Sequence, residues 1–99
     1  LFERLLESLG NPGDVLLGIT TSGNSENVTR ALKSAKQQQI IPTGFLGSDG
    51  GLALENCEVA FIVPSQNTAR IQESHIMAGH ILMESIEDIL ESKGYLKVK

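Results

Sequence analysis

Two groups of residues in this chain have types and spacings that could do chemistry. The first is Thr20-Thr21-Ser22-Gly23-Asn24-Ser25, four hydroxyls within six residues around one glycine. Each hydroxyl carries a donor that rotates to suit its partner, so such a loop can cradle a phosphate without any cation. The second group is Arg70, Gln72, Glu73, His75 and His80. At about 100° per residue, Gln72, Ile76 and His80 form a slanted stripe on one face of a helix. Histidine changes charge near neutral pH, so His80 could serve as a general acid or base, or as a metal ligand. It also lies in an apolar stretch, MAGHILM, where a histidine equally serves as a core residue held by one hydrogen bond. Gln72 and His80 are about 12 Å apart along an ideal helix axis and could share a metal only by leaning together. His75 falls about 60° to the other side of Gln72 and is assigned to packing or to an interface.

The elements that must position these residues follow from the apolar pattern. Val15 to Ile19 is a short apolar run broken only by Gly18, which predicts a strand buried on both faces, as in a parallel sheet. It feeds directly into the hydroxyl loop. A helix is predicted over Glu26 to Gln38, with Val28, Ala31, Leu32 and Ala35 on one face and Arg30, Lys33 and Lys36 towards water. Ser25 or Asn24 caps it, and Glu26 suits the first turn. A strand, a hydroxyl-rich glycine loop and a helix N-terminus in succession make the layout of an anion site. The loop is neither a P-loop, since no Lys follows it, nor a dinucleotide fingerprint, since the third glycine is missing. From residue types alone it reads either as an ordinary capped strand-to-helix connection or as an uncharged cradle for a sugar phosphate.

Around this unit, Leu1 to Leu9 is predicted as a helix stopped by Gly10, Asn11, Pro12 and Gly13. Ile40 to Leu46 is a second strand, Gly47 to Gly51 a turn, Leu52 to Glu55 a short helix and Val59 to Val63 a third strand. Thr68 to about Ser92 is one long helix with Ile71, Ile76, Leu82, Met83, Ile86 and Leu90 as its apolar positions. Strands alternating with helices predict an α/β fold, a parallel sheet flanked by helices with right-handed crossovers. Ligands in such sheets bind beyond the carboxyl ends of the strands, where the Thr20–Ser25 loop lies.

Composition bounds the function. The chain has 99 residues, 40% of them hydrophobic, enough for one small domain with a core. It begins at Leu1 and reads as helix at once, so it is expected to be part of a longer chain with an open sheet edge at the first strand. The net charge of −4, the scattered Lys and Arg and the 4% aromatic content argue against a nucleic-acid partner. No apolar run approaches the roughly 20 residues of a membrane span. The single Cys57 cannot form an internal disulfide, and a reducing, cytoplasmic setting fits.

The stretch GDVLLGITTSGNSENV, followed by GSDGG and then ARIQESHIMAGHILMESIE, resembles the carboxyl-terminal half of the phosphoheptose isomerases, within the sugar isomerase (SIS) domain family. The resemblance covers essentially all of the chain. It implies a Rossmann-like three-layer sandwich, with residues 1–99 as the C-terminal part of a single SIS domain, and assembly into a homo-oligomer, a tetramer. The activity it implies is conversion of sedoheptulose 7-phosphate to D-glycero-D-manno-heptose 7-phosphate, a precursor of the lipopolysaccharide core heptose. Thr20, Thr21, Ser22 and Ser25 then match the phosphate loop, with Thr20 where a Ser is common. Gln72 and His80 match zinc ligands, Gln72 also contacts substrate, and His80 matches the catalytic acid or base. A further His and a catalytic Glu would come from the amino-terminal half. Ala69 is a departure, since many of these isomerases carry Asp before the Arg. The TARIQE pattern is also similar to a non-catalytic SIS protein of the DnaA initiator-associating type, which binds a sugar phosphate or a protein partner. That type lacks a His matching His80, and the presence of His80 favours the enzyme.

Overall fold

A computed structural model describes Leu1–Tyr95. In chain order it contains α1 (Phe2–Leu9), β1 (Val15–Ile19), α2 (Glu26–Gln37), β2 (Ile41–Gly47), a 3₁₀ turn (Leu54–Asn56), β3 (Val59–Val63) and α3 (Thr68–Ser92). The three strands are all parallel, in the order β1-β2-β3. Helix α2 packs on one face of the sheet with α1 against it, and α3 packs on the other, mainly over β2 and β3.

The boundaries differ from expectation where an amide is claimed by something other than its own element. The Ile40 amide donates to the Ala35 carbonyl at the end of α2, so β2 starts only at Ile41, whose amide bonds to Asp14. At its far end β2 gains Gly47, opposite Val63. Gln39 turns the chain at φ 62°, which ends α2 at Gln37. The short helix expected at Leu52 to Glu55 is a single 3₁₀ turn one residue or two later. The amides that would open it are taken by the hydroxyl loop: Leu52 N–H donates to Asn24 Oδ1 and Ala53 N–H to the Gly23 carbonyl.

The core lies between the sheet and α2. Leu32, Leu46 and Ala53 are fully buried there, with Leu16, Val28, Cys57, Ala60 and Ile62 packed around them. The close approach of α2 depends on Gly18, and Gly44 opposite it leaves room for the Cys57 side chain. A Cβ at Gly18 would lie 2.8 Å from Val28 Cγ1. On the other face, the Phe45 and Phe61 rings meet edge to face at 5.7 Å.

Two expectations about burial are corrected. β1 was expected to be covered on both faces, yet Val15 and Ile19 are 63% and 54% exposed, because β1 is an edge strand and α3 sits over its neighbours. Of the apolar positions expected in α3, only Ile71 is buried, while Ile76, Leu82, Met83, Ile86 and Leu90 are exposed. Ile76 borders the open cavity beside Ile19, and Leu82 an open cleft with Phe45 and Phe61; for Met83, Ile86 and Leu90 the reason is length. Twenty-five helical residues extend roughly 37 Å, whereas the seven residues of β2 span roughly 23 Å, so the last turns of α3 run past the sheet.

Candidate functional site

The loop after β1 is built by its own side chains. Thr20 is buried; its amide continues the sheet by bonding to the Phe45 carbonyl, and its Oγ1 accepts from Gly23 N–H at 3.3 Å. Ser22 Oγ accepts from Asn24 N–H at 3.0 Å. Ser25 is the N-cap of α2, with Oγ accepting from Val28 N–H at 3.5 Å. In each of these bonds the hydroxyl is the acceptor, so its own O–H remains to donate to a ligand. Past the cap, the first amides of α2 have no intrahelical partner and add the positive end of the helix dipole.

The loop is locked from below by the turn after β2. Gly23 sits at φ 73°, and a Cβ there would meet the Gly50 carbonyl oxygen at 2.0 Å. Gly51, at φ 58°, would likewise collide with the Gly23 backbone. A Cβ at Gly47 would lie 2.2 Å from the Thr21 carbonyl oxygen. Backbone therefore meets backbone, which only glycine allows here. Asp49 Oδ1 accepts from Gly51 N–H and holds the turn.

Across a cavity of about 800 Å³ from this loop stands α3. Its start is capped by Asn67, whose Oδ1 accepts from Arg70 N–H at 3.3 Å. The cavity is lined by Thr20, Thr21 and Ser25 on one side and by Gln72, His75 and His80 on the other. The two groups singled out by residue type, 50 positions apart in the chain, thus face one space. Ser22 is exposed at the loop tip and does not line it. Gln72 and His80 are both exposed, so His80 is not a core residue of this chain. His75 is the core histidine: it is buried beside Phe45 and Phe61, with Nε2 donating to the Leu46 carbonyl at 2.8 Å. Arg70 is engaged with Glu73 at 2.7 Å on the exposed side of α3. Among the described residues no Lys or Arg lines the cavity, so what this chain offers an anion here is hydroxyls and amides.

Whether the residues fit a zinc ion can be tested on the donors present. Structural and catalytic zinc sites take three or four protein ligands at about 2.0–2.3 Å. Among the described residues there is no group of three or more His, Cys, Asp or Glu side chains that could hold a metal. Gln72 and His80 are two donors two helical turns apart, so these residues do not form a zinc site by themselves.

The glycine lock and the hydrogen bond from His75 to Leu46 were not found from spacing. The GSDGG run was the one available signal for the lock, since paired glycines mark close backbone approach. Nothing in the sequence pairs His75 with a carbonyl 29 residues earlier.

No protein-family model matches the chain. Curated relatives do. A phosphoheptose isomerase from Clostridium acetobutylicum is 54% identical over 87 residues, covering 88% of this chain and 44% of the relative. One from Aquifex aeolicus is 50% identical over 90 residues, covering 91% and 47%. Among solved structures, phosphoheptose isomerase from Neisseria gonorrhoeae superposes with a TM-score of 0.83 at 41% identity, covering 86% of this chain and 49% of that one. A phosphoheptose isomerase from Francisella tularensis gives 0.84 at 36% identity, covering 88% and 49%. The chain spans about half the length of the relatives it matches, and over that half it is related in sequence and in fold to the phosphoheptose isomerases.

Proposed function

We propose that this chain is the C-terminal part of a single SIS domain in a sugar-phosphate isomerase. The enzyme interconverts sedoheptulose 7-phosphate and D-glycero-D-manno-heptose 7-phosphate, acts in the cytoplasm and assembles as a tetramer. One observation carries the reading: the hydroxyl loop and the Gln72–His80 face of α3 line the same cavity. Its volume suits a small polar ligand.

Aldose–ketose isomerisation moves a proton between C1 and C2 through an enediol, and a second proton between the two oxygens. Two acid/base groups on opposite sides of the substrate suffice. Thr20, Thr21 and Ser25, the hydroxyls that line the cavity, anchor the phosphate with neutral donors and the helix dipole. Anchoring the far end of the sugar fixes where the reacting carbons lie along the cavity. Gln72 binds the sugar near its reacting end, and His80 transfers one of the protons. The other acid/base group, a Glu, comes from outside this chain. Zinc would require ligands from that same outside region to join Gln72 and His80, and the chemistry above needs only the proton transfers.

The test is His80→Gln in the full-length protein, assayed on sedoheptulose 7-phosphate. Loss of one acid/base group should lower turnover by about 10²–10⁴-fold, with the melting temperature measured alongside to show that the variant is folded. A folded variant that turns over at the wild-type rate removes the catalytic role. A wild-type protein that binds the sugar phosphate without turning it over would instead put the non-catalytic reading, to which Ala69 points, in place of the isomerase.

A further inference from the structure

We infer that His75 is a positioning residue for the proposed isomerase: its bond to the Leu46 carbonyl pins α3 so that Gln72 and His80 face the Thr20–Ser25 loop. The inference rests on the isomerase reading for its kinetic consequence and on geometry for everything else. Helix α3 has 25 residues, of which only Ile71 and His75 are buried. These two lie one turn apart on one stripe, and they bracket Gln72. Apolar contact through Ile71 holds the helix near the sheet but does not fix how far it slides or rotates, because such contact is non-directional. A hydrogen bond of 2.8 Å from a buried ring to a backbone carbonyl does fix it.

The carbonyl chosen is at the end of β2 that meets the loop. Leu46 precedes Gly47, whose Cα lies so near the Thr21 carbonyl that an added Cβ would be 2.2 Å from it. One line of contact therefore runs from α3 through His75 and β2 to the phosphate loop. The ring's other nitrogen supports the same view. With a carbonyl as partner, Nε2 must carry the proton, which leaves Nδ1 as a bare acceptor. It is buried and has no hydrogen-bond partner among the described residues. A residue serving stability alone between two phenylalanines would be Leu or Met, since a half-satisfied polar ring is worse than an apolar one of similar size.

The test compares His75→Leu, which keeps the bulk and loses the donor, with His75→Gln, which keeps an N–H donor at similar reach. Both are made in the full-length protein. The readouts are kcat and KM on sedoheptulose 7-phosphate, affinity for inorganic phosphate, melting temperature, and the ring tautomer by nitrogen NMR. Displacing a reacting group by about 1 Å can cost on the order of 10²-fold. His75→Leu should therefore lower kcat by about 10–100-fold, with phosphate affinity unchanged, and His75→Gln should restore most of kcat. The wild-type ring should be the Nε2–H tautomer. An Nδ1–H tautomer overturns the inference, as does a folded His75→Leu variant with wild-type kcat, or equal losses in the Leu and Gln variants. If His75→Leu fails to fold, the Gln variant and the tautomer decide. An inactive wild-type protein overturns the isomerase reading alone. The pin then stands or falls on the tautomer and on whether a crystal structure of His75→Leu shows Gln72 shifted relative to Thr20.

Discussion

Gly23→Ala isolates the lock beneath the phosphate loop. An alanine at φ 73° carries the left-handed penalty of about 1–2 kcal/mol. Its Cβ would also sit 2.0 Å from the Gly50 carbonyl oxygen and 2.8 Å from Gly51 N, both backbone atoms that cannot swing aside. Moving them opens the bond between Ala53 N–H and the Gly23 carbonyl, now 2.8 Å, worth about 1 kcal/mol. Forced overpacking adds about 1–3 kcal/mol. The variant should therefore lose roughly 3–6 kcal/mol, a large share of the 5–15 kcal/mol that holds a typical domain together. Gly13→Ala is the control: its φ is 91°, but nothing lies within 4 Å of an added Cβ, so it should lose only the backbone penalty of about 1–2 kcal/mol. Urea denaturation of the two full-length variants, at one protein concentration, measures the difference. Affinity for a sugar phosphate should fall in Gly23→Ala and be unchanged in Gly13→Ala. Equal urea midpoints for the two variants, or full phosphate affinity in Gly23→Ala, would refute the lock.

Thr21→Val with Ser25→Ala should weaken sugar-phosphate binding by roughly 1.5–3 kcal/mol for each hydrogen bond lost to the charged group, read by titration calorimetry. Ser25→Ala alone should also cost about 1 kcal/mol of stability, because it removes the α2 cap. Burial raises the Cys57 thiol above its ordinary 9.0. The folded chain therefore holds that proton more tightly than the unfolded chain, a contribution present below about pH 9 and lost as pH rises through the raised value. The melting temperature of the parent protein should consequently fall more steeply above about pH 9 than that of Cys57→Ser. Sedimentation of the full-length protein at micromolar concentration should show an oligomer, and a clean monomer would contradict the proposed tetramer.

What was legible in the sequence is what each residue settles locally. Val15 to Ile19 can only be a short apolar strand, and the strand, loop and helix order followed from it. Ser25 and Asn24 were both candidates for the α2 cap; Ser25 takes it, while the Asn24 side chain reaches Leu52 across 28 residues. That choice depends on a tertiary partner, so no local rule could make it. The same holds for the late start of β2, set by the Ile40 amide turning back to α2, and for the shortened 3₁₀ turn. The two histidines show both limits. Helical period puts His75 and His80 on different faces of α3, but which face is buried depends on how the helix sits on Phe45 and Phe61.

The exposed apolar residues carry the argument one step further. Ile19 and Ile76 are 54% and 62% exposed and both line the cavity between the loop and α3. Met77, Ile81 and Leu82, also exposed, line a second apolar cleft of α3 with Phe45 and Phe61. A sugar-phosphate site open along such a rim is flooded by water, where hydroxyl and amide donors hold an anion weakly. The prediction is that, in the proposed isomerase, the rest of the domain covers this rim. That single act would bury the apolar residues, lower the dielectric around Thr20, Gln72 and His80, and bring in the second acid/base group. The features that leave this chain poorly covered are therefore the ones that would make its site work once closed. Charged substitutions on the rim, such as Ile76→Lys, should abolish assembly and turnover together while leaving the α2-side core of Leu32, Leu46 and Ala53 intact. Circular dichroism, sedimentation and assay on one preparation would check this, and a variant that assembles and turns over normally would show that the rim is not where the domain closes.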